Sequence, residues 1–279
     1  MSIDGNNEDL VDKTKAYYDS DDAQQFYYWL WGGEDLHLGI YERKDESIRD
    51  ASRKTVMRMA SLLPKLDADT RVLDLGGGFS GSARALAGEF GCSVTVLNLS
   101  ERENERGRRM NKERGLDHLI TVYDGNFEEV PFEDDRFDVV WSQDAFLHSG
   151  DRKRVLAEAV RVLAPGGHLV FTDPMMTDDC PKDVLQPIFD RIHLSSLGSP
   201  GFYRKAAEEV KLTLCEYVDL DPHLPMHYQR VLEETERNEA RIKGEISEEY
   251  IENMKKGLRY WIEGGRNGYL TWGIFLFRK

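Results

Sequence analysis

The chain has 279 residues, of which 40% are apolar, and its formal net charge is −14 at pH 7. This length and composition suffice for one α/β domain with a sizeable core and additional helices. A strongly negative protein repels nucleic-acid phosphates and anionic lipids, so the charge disfavours nucleic-acid and membrane partners and favours a small-molecule ligand. Two origins of the acidity stay open: solubility, and a cell interior of high salt, where counterions screen a dense negative surface.

The sequence carries no pattern typical of membrane insertion, disulfides or metal binding. No apolar run is long enough to span a bilayer, and residues 1–9 are acidic where a signal peptide would be basic. The cysteines, Cys92, Cys180 and Cys215, are unclustered, and the seven histidines lack ligand spacing. We therefore expect a cytoplasmic protein without disulfides or a metal site, either a monomer or a weak homo-oligomer.

The predicted elements begin with helices and continue as an alternation of strands and helices. Residues 8–63 are predicted to be helical, and an amphipathic helix from Ser47 to Leu63 ends before Pro64. The alternation that follows is typical of a parallel sheet covered on both faces. Its predicted strands lie near residues 71–75, 93–97, 120–124, 137–142 and 167–173.

The alternation ends after Pro174. Residues 175–211 mix polar and helical segments, residues 212–220 alternate like a strand, and residues 225–263 are charge-rich and helical. A last strand is predicted at residues 269–277.

A glycine-rich turn directly follows the first predicted strand, in the sequence VLDLGGGFSG at residues 72–81. Glycines permit a sharp turn and let backbone amides approach a nucleoside-like ligand at the carboxyl end of the strand. Gly76, Gly78 and Gly81 also satisfy the dinucleotide pattern G-x-G-x-x-G. That pattern expects an acid at the end of the next strand, where Asn98 is an amide. The NAD-binding interpretation is weakened but stays open.

Two later segments resemble motifs of a known protein family. Residues 137–148, FDVVWSQDAFLH, form an apolar strand that breaks into polar residues, and residues 161–173, RVLAPGGHLVFTD, form a glycine turn into an apolar strand. Together with the glycine loop, they resemble class I methyltransferases, specifically the small-molecule N-methyltransferases of the sarcosine/dimethylglycine and phosphoethanolamine type. Residues 26–39, 197–204 and 271–273 are similar to the same enzymes. The resemblance covers nearly the whole chain and is closest to the sarcosine/dimethylglycine N-methyltransferase family.

The resemblance implies the class I methyltransferase fold. This is an α/β, Rossmann-like sheet, mostly parallel, with an antiparallel C-terminal strand, an N-terminal helical lid and helical cap insertions. The chain then divides into the lid (1–63), the S-adenosylmethionine-binding core (64–174), cap helices with one core strand (175–268) and the closing strand of the core (269–279).

The resemblance also implies S-adenosylmethionine as the cofactor. Its expected contacts are Trp31, Asp74, Gly76, Gly78, Asn98, Leu99, Asn126, Phe127 and Gln143. Three positions depart from the usual pattern, because Asn98 and Asn126 stand where these enzymes carry an acid and Ser80 replaces a common glycine. An amide can still bond a hydroxyl, but without the strength of a charged acceptor.

The product of amine methylation limits which side chains can hold it. A fully methylated ammonium has no N–H to donate, so aromatic ring faces are its expected contacts, at about 0.5–2 kcal/mol per ring. Aromatic residues crowd the segment 17–31. We expect most of these rings to be core residues. The expected exceptions are Tyr27, Tyr28 and Tyr203, of which Tyr27 and Tyr203 match substrate contacts of the resembled family.

An amino-acid acceptor also carries a carboxylate, which suits the paired donors of arginine. Arg191, Arg204 and Arg266 lie in the cap-like segments. We expect one of them to bind the carboxylate, with Arg191 and Arg266 as the preferred candidates.

The acceptor amine must lose a proton before it attacks. For an amine with a pKa near 10, this costs about 4 kcal/mol at pH 7. His148 follows the carboxyl end of a predicted strand and is the candidate catalytic residue, and the resemblance pairs it with Tyr18 or Tyr27. An ordinary histidine is a weak base for an ammonium, so we expect positioning to be its larger role.

These observations favour methylation of sarcosine and dimethylglycine to glycine betaine, by in-line transfer in a closed, water-poor pocket. A related alternative is phosphoethanolamine methylation, whose dianionic substrate would require several cations. An NAD-dependent oxidoreductase and a cofactor-binding protein without catalysis are the alternatives from other classes.

Overall fold

The computed structural model describes Lys15 and residues 19–43, 45–192 and 194–279. The strands of these residues are β1 (Arg71–Leu75), β2 (Ser93–Asn98), β3 (Ile120–Asp124), β4 (Phe137–Gln143), β5 (Leu163–Met176), β6 (Thr213–Asp219) and β7 (Leu270–Arg278). They form one sheet in the order β3-β2-β1-β4-β5-β7-β6. Strand β7 runs antiparallel to both of its neighbours, and the other pairs are parallel. The prediction of a mostly parallel sheet with an antiparallel C-terminal strand is confirmed.

Helices cover both faces of the sheet. They are α1 (Asp21–Leu30), α2 (Ile48–Ala60), α3 (Gly81–Phe90), α4 (Glu101–Glu113), α5 (Arg152–Val162), α6 (Gln186–Ile192), α7 (Pro200–Glu209), α8 (His223–Ile242) and α9 (Glu248–Arg266). A short 3-10 turn spans Phe146–His148. None of the helices in the described part of the chain combines the length and apolarity needed to cross a bilayer.

The two faces of the sheet belong to two hydrophobic clusters. Successive side chains of a strand point to opposite faces. In β1, Val72 joins the cluster that includes α2, α3, α8 and α9, whereas Leu73 and Leu75 join the cluster that includes α5 and α7. Helices therefore bury both faces of the sheet, which leaves the carboxyl ends of the parallel strands as the place where ligands bind in open α/β sheets.

Strand β5 is longer than its predicted range of 167–173. It pairs with β7 from His168 to Met176, so the antiparallel partner extends it beyond the predicted end. The alternation of apolar residues in a single strand could not reveal this length, because the partner is about 100 residues away in the sequence.

The helical prediction for residues 8–63 is wrong for residues 31–43 and 45–47, which form a loop without regular structure. Its residues 8–14, 16–18 and 44 lie outside the described part of the chain. Gly32 and Gly33 have φ angles of 113° and 84°, a left-handed conformation that ends α1. The next helix starts only after Ser47, whose side chain accepts a hydrogen bond from a backbone N–H of the first turn. The loop is therefore free to cross the carboxyl edge of the sheet.

The predicted helical stretch 225–263 is two helices. They are α8 and α9, which pack against each other and are separated by residues 243–247. Ser247 caps the second helix by accepting a hydrogen bond from the N–H of Tyr250. The break allows the chain to reverse, so that both helices line one side of the molecule.

Candidate active site

The turn after β1 brings backbone to the edge of a cavity at the carboxyl ends of the parallel strands. Gly76 and Gly78 have φ angles of 75° and 49°. A Cβ atom at Gly76 would overlap the side chain of Ala145, and one at Gly78 would lie 3.0 Å from Cδ1 of Leu36. The positive φ angles favour glycine at both positions, and Gly76 is also required because a side chain there would have no space.

This sheet-edge cavity has a volume of about 960 Å³, including its open mouth. Its lining residues include most of the predicted cofactor contacts. These are Asp74, Gly76, Gly78, Asn98, Leu99, Asn126, Phe127 and Gln143. The structure thus brings together positions that are up to 69 residues apart in the sequence. Trp31, the remaining predicted contact, lines a different cavity.

The second cavity, here called the aromatic cavity, lies beside the first and has a volume of about 600 Å³. Its lining side chains are Tyr27, Trp31, Leu36, Leu38, Asp144, Leu147, His148, Pro174, Arg191, Ile192, Tyr228, Met254, Leu258 and Trp261. The two cavities share Leu36, Asp144 and His148. These three residues form the wall between them.

Four rings of the aromatic cavity contact one another. The ring centroids of Tyr27 and Trp31 are 5.3 Å apart, and those of Trp31 and Tyr228 are 6.1 Å apart. Tyr228 stacks on Trp261 with centroids 5.0 Å apart. Because the rings come from α1 and its end, α8 and α9, the cavity is built by helices from both ends of the chain.

Arg191 is the predicted carboxylate-binding arginine that the structure places in the aromatic cavity. It lies in α6, and its guanidinium contacts Sδ of Met254 in α9. A Cβ atom at Gly257 would overlap the Arg191 side chain. Glycine at this position therefore lets the guanidinium lie across α9 beside the rings.

Asp144 fixes the wall between the two cavities. Its Oδ2 accepts a hydrogen bond of 2.7 Å from the N–H of Leu38, and its Oδ1 accepts one of 2.9 Å from Nε1 of Trp272. Its φ of 51° lies in the left-handed region, which short polar residues adopt more readily than others. Asp144 thus joins the loop between α1 and α2 to the end of β4 and to β7.

Gln143 presents an N–H group to the sheet-edge cavity. Its Oε1 accepts hydrogen bonds from Nε1 of Trp141, at 2.9 Å, and from Oγ of Ser82, at 2.6 Å. Because an indole nitrogen can only donate, the amide orientation is fixed. The buried Nε2 has no hydrogen-bond partner among the described residues, so a ligand acceptor can satisfy it.

A cluster of charged groups lies under the glycine turn. Nδ1 of His37 faces the carbonyl of Leu38 at 3.0 Å, and its Nε2 faces Asp35 at 3.6 Å. Burial alone would lower the pKa of His37, but the Asp35 carboxylate raises it above its usual value. Burial raises the pKa of Asp74 to about 7, and Oδ2 of this residue has no partner in the described part of the chain.

His148 is in the shared wall, at the end of the 3-10 turn. Burial, and to a smaller degree Arg152, lower the pKa of His148 to about 4. Its imidazole is therefore neutral at pH 7. The pKa of His148 is thus well below the ordinary histidine value that the sequence analysis assumed.

The structure places the other predicted substrate residues away from both cavities. Tyr28 is 39% exposed and lies under the guanidinium of Arg106, 4.7 Å from the ring centroid. Arg266 is exposed and donates to Gln229, and the exposed Arg204 lies over a tyrosine ring of β6. Tyr18 lies outside the described residues.

Tyr203 is fully buried in the cluster under α5 and α7. Its hydroxyl donates a hydrogen bond of 2.7 Å to Oδ2 of Asp173, and Oδ1 of the same carboxyl accepts one from the N–H of Leu147. Tyr203 therefore orients the Asp173 carboxyl, which in turn holds the backbone of Leu147, the residue before His148.

Sequence reasoning missed several residues of the aromatic cavity. Met254, Leu258 and Trp261 recur at intervals of four and three residues, which puts them on one helix face. This spacing was a signal for a buried face inside the charge-rich segment. It could not indicate what the face covers. Tyr228 on α8 lies on a face of the same spacing, with Leu224 and Val231 four residues before and three residues after it.

A family model described as "Methyltransferase domain" matches residues 73–171, which contain the glycine turn and β4. With the sheet order and the cavity at its edge, the match defines the protein as a methyltransferase.

Full-length relatives define the family more closely. The chain is 56% identical to the sarcosine/dimethylglycine N-methyltransferase of Halorhodospira halochloris, over 96% of each chain. It is 52% identical to the enzyme of the same name from Aphanothece halophytica, over 97% of this chain and 98% of the relative. The solved structure of a proposed sarcosine dimethylglycine methyltransferase from Galdieria sulphuraria is 44% identical, with a TM-score of 0.89, and the match covers 94% of this chain and 98% of that one. The chain belongs to the sarcosine/dimethylglycine N-methyltransferase family.

The position of Tyr203 generates a stability prediction. Burial raises the pKa of Asp173 to about 7, and the hydrogen bond from Tyr203 opposes this rise. The carboxyl therefore contributes stability below its unfolded pKa near 3.9, and this is lost as the pH rises through about 7. Tyr203→Phe should lower the free energy of unfolding by about 1–3 kcal/mol at pH 8, and by less at pH 5.5, where the carboxyl is protonated.

Denaturant unfolding at the two pH values measures this difference. Tyr123→Phe, at an exposed tyrosine, is the control and should have little effect. If Tyr203→Phe is as stable as the wild type at pH 8, the hydroxyl is not structural, and a substrate role for Tyr203 regains support.

Proposed function

We propose that this enzyme transfers methyl groups from S-adenosylmethionine to sarcosine and dimethylglycine, giving glycine betaine. The observation that carries the proposal is the aromatic cavity, which contains an arginine and shares one wall with the sheet-edge cavity. The names of the full-length relatives support it.

The sheet-edge cavity fits the cofactor. Its buried Asp74 Oδ2 and Gln143 Nε2 lack partners among the described residues and differ in hydrogen-bonding character. An amino-acid end carries both an ammonium and a carboxylate, so one acceptor and one donor beside the glycine turn suit it. The amide of Asn126 and the ring of Phe127 would hold the adenine. When bound, S-adenosylmethionine supplies a methyl group that its sulfonium makes electrophilic.

The aromatic cavity fits an N-methylated amino acid. The faces of Tyr27, Trp31, Tyr228 and Trp261 suit a methylammonium group, which loses its last N–H on full methylation. Among the described residues that line the cavity, the cationic side chain is that of Arg191, and its guanidinium suits a single carboxylate. A phosphate dianion would gain more from several cations, so these lining residues favour a carboxylate substrate over phosphoethanolamine.

His148 acts in this proposal as a positioning residue. With its pKa at about 4, accepting a proton from an ammonium of pKa near 10 would cost about 8 kcal/mol. The acceptor is better deprotonated to solvent before it is enclosed, since burial lowers the pKa of an amine. A neutral imidazole in the shared wall can then orient the amine, and it does not repel the positive charge that develops on nitrogen.

The first functional prediction concerns the substrate carboxylate. Arg191→Gln should raise the KM for dimethylglycine by about 10- to 100-fold, because hydrogen bonds between charged groups contribute about 1.5–3 kcal/mol. The rate with dimethylethanolamine, which lacks a carboxylate, should change little. The measurement is the amount of methylated product, identified by mass.

Arg266→Gln is the matched control, since it makes the same change at an exposed arginine, and it should behave as the wild type. A larger effect at Arg266, equal losses with both acceptors in Arg191→Gln, or no betaine from the wild type would contradict the proposal.

A second functional prediction separates positioning by His148 from base catalysis. We expect kcat/KM for dimethylglycine to rise with pH up to the pKa of the amine. His148→Gln should keep the shape of this profile and lower the rate by about 10- to 100-fold through poorer orientation. An acidic limb near pH 6–7 in the wild type that disappears in His148→Gln would identify the histidine as the base.

A further inference from the structure

Two neighbouring side chains between α3 and α4 each keep a buried N–H group without an acceptor. Arg84 of α3 and Asn111 of α4 are 4% and 1% exposed, and Nη1 of Arg84 donates a hydrogen bond of 2.9 Å to Oδ1 of Asn111. Because a guanidinium can only donate, this bond fixes the orientation of the Asn111 amide. Nη2 of Arg84 and Nδ2 of Asn111 are buried, and neither has an acceptor in the described part of the chain. Buried donors in this state are costly unless a ligand accepts from them.

The same corner of the molecule carries more positive than negative charge. Four guanidiniums lie 2.7–4.0 Å from the carboxylate of Glu34, those of Arg49, Arg53, Arg84 and Arg114. The carboxylate of Asp35 lies 3.6 Å from Arg53 and is shared with His37. Four guanidiniums thus face two carboxylates, in a chain whose formal net charge is −14. Such a local surplus of positive charge attracts an anion.

A recess between α2, α3 and the end of α4 gives access to this corner. Its volume is about 870 Å³, including the open mouth, and Arg53, Arg84 and Arg114 line it together with Glu34. Glu89, the other acid among its described lining residues, is exposed. Because the two unsatisfied N–H groups are themselves buried, the acceptor has to be compact. A single-atom anion meets this condition better than phosphate or sulfate, whose several oxygens would each need a donor.

We propose that this corner binds a halide ion, with Nη2 of Arg84 and Nδ2 of Asn111 as its hydrogen-bond donors and with Arg53 and Arg114 as the neighbouring charges. Chloride is the halide that a cell supplies in quantity. The inference does not depend on the identity of the cofactor or of the methyl acceptor.

A bound halide would hold the loop between α1 and α2 against α3. A Cβ atom at Gly81, the first residue of α3, would overlap the carbonyl oxygen of Glu34 and the carboxylate of Asp35, so the loop packs directly on the helix start. Burial lowers the pKa of Arg84, and the charge of Arg53 lowers it further, although Glu34 opposes the change. A halide would offset this repulsion between like charges. It should therefore stabilise the folded protein.

Thermal unfolding of the full chain in potassium chloride and in potassium gluconate, at equal ionic strength, tests the proposal. Gluconate is an anion too large for the two buried donors. The wild type should unfold at a temperature about 2–4 °C higher in chloride, because a ligand that binds only the folded state stabilises it. When chloride replaces gluconate stepwise, the gain should saturate.

Asn111→Asp separates a bound ion from a general effect of salt. The new carboxylate keeps an acceptor for Nη1 of Arg84 and places a fixed negative charge where the amide N–H stood, so it substitutes for the halide. This variant should unfold at the same temperature in both salts. Asn253→Asp makes the same chemical change at an exposed position of α9, and it should keep the difference seen in the wild type.

Arg53→Gln carries the test if Asn111→Asp does not fold. It removes one charge beside the proposed ion and should raise the chloride concentration that gives half of the gain by about threefold or more. Arg58→Gln, at an exposed position of the same helix, should leave that concentration unchanged. Equal unfolding temperatures of the wild type in the two salts, a chloride effect retained in Asn111→Asp, or an unchanged concentration in Arg53→Gln would overturn the proposal. The acceptor of the two N–H groups would then be an ordered water molecule.

Discussion

The two hydrogen bonds of the Asp144 carboxylate hold the two cavities of the site in a fixed relative position. One comes from the backbone N–H of Leu38, in the loop between α1 and α2, and the other from the indole of Trp272 in β7. Because Asp144 also directly follows β4 and lines both cavities, one side chain connects the loop before α2, the sheet and the wall between the two cavities. A methyl transfer requires that two ligands face each other in a fixed orientation, and reacting groups misplaced by about 1 Å can cost on the order of 100-fold in rate.

In the proposed function, each side of this wall has the polarity that its ligand requires. The sheet-edge cavity offers amides, carboxylates and a glycine turn to a polar cofactor. The aromatic cavity offers ring faces and one guanidinium among its described lining residues. His148 stands between them with a pKa lowered by burial to about 4, so it adds no positive charge where the amine becomes a cation. The low pKa that makes the imidazole a poor base therefore makes it a suitable neighbour for the product.

The features that the sequence predicted best are those that depend on the local conformation of the backbone. The glycine turn and the antiparallel last strand follow from short motifs and from the resemblance they carry, whereas the end of β5 depends on its distant partner β7. Side-chain direction was harder, as the adjacent residues Tyr27 and Tyr28 show: neighbours on a helix differ by about 100°, so one lines the aromatic cavity and the other faces solvent. Arg191 was named as a candidate but could not be separated from Arg266, and Tyr228 and Trp261 were missed. Their roles depend on how α6, α8 and α9 pack, and helix packing is not encoded in local spacing.

The central claim is that the aromatic cavity binds the positive charge of a methylated amino acid. Glycine betaine and 3,3-dimethylbutanoate have nearly the same shape and the same carboxylate, but only betaine has a charged methylated nitrogen in place of a carbon. Calorimetry with both, in the presence of S-adenosylhomocysteine, isolates that charge. If ring faces enclose the ammonium, betaine should bind roughly 2- to 30-fold tighter, as expected for about 0.5–2 kcal/mol. Equal binding, or tighter binding of 3,3-dimethylbutanoate, would contradict the account.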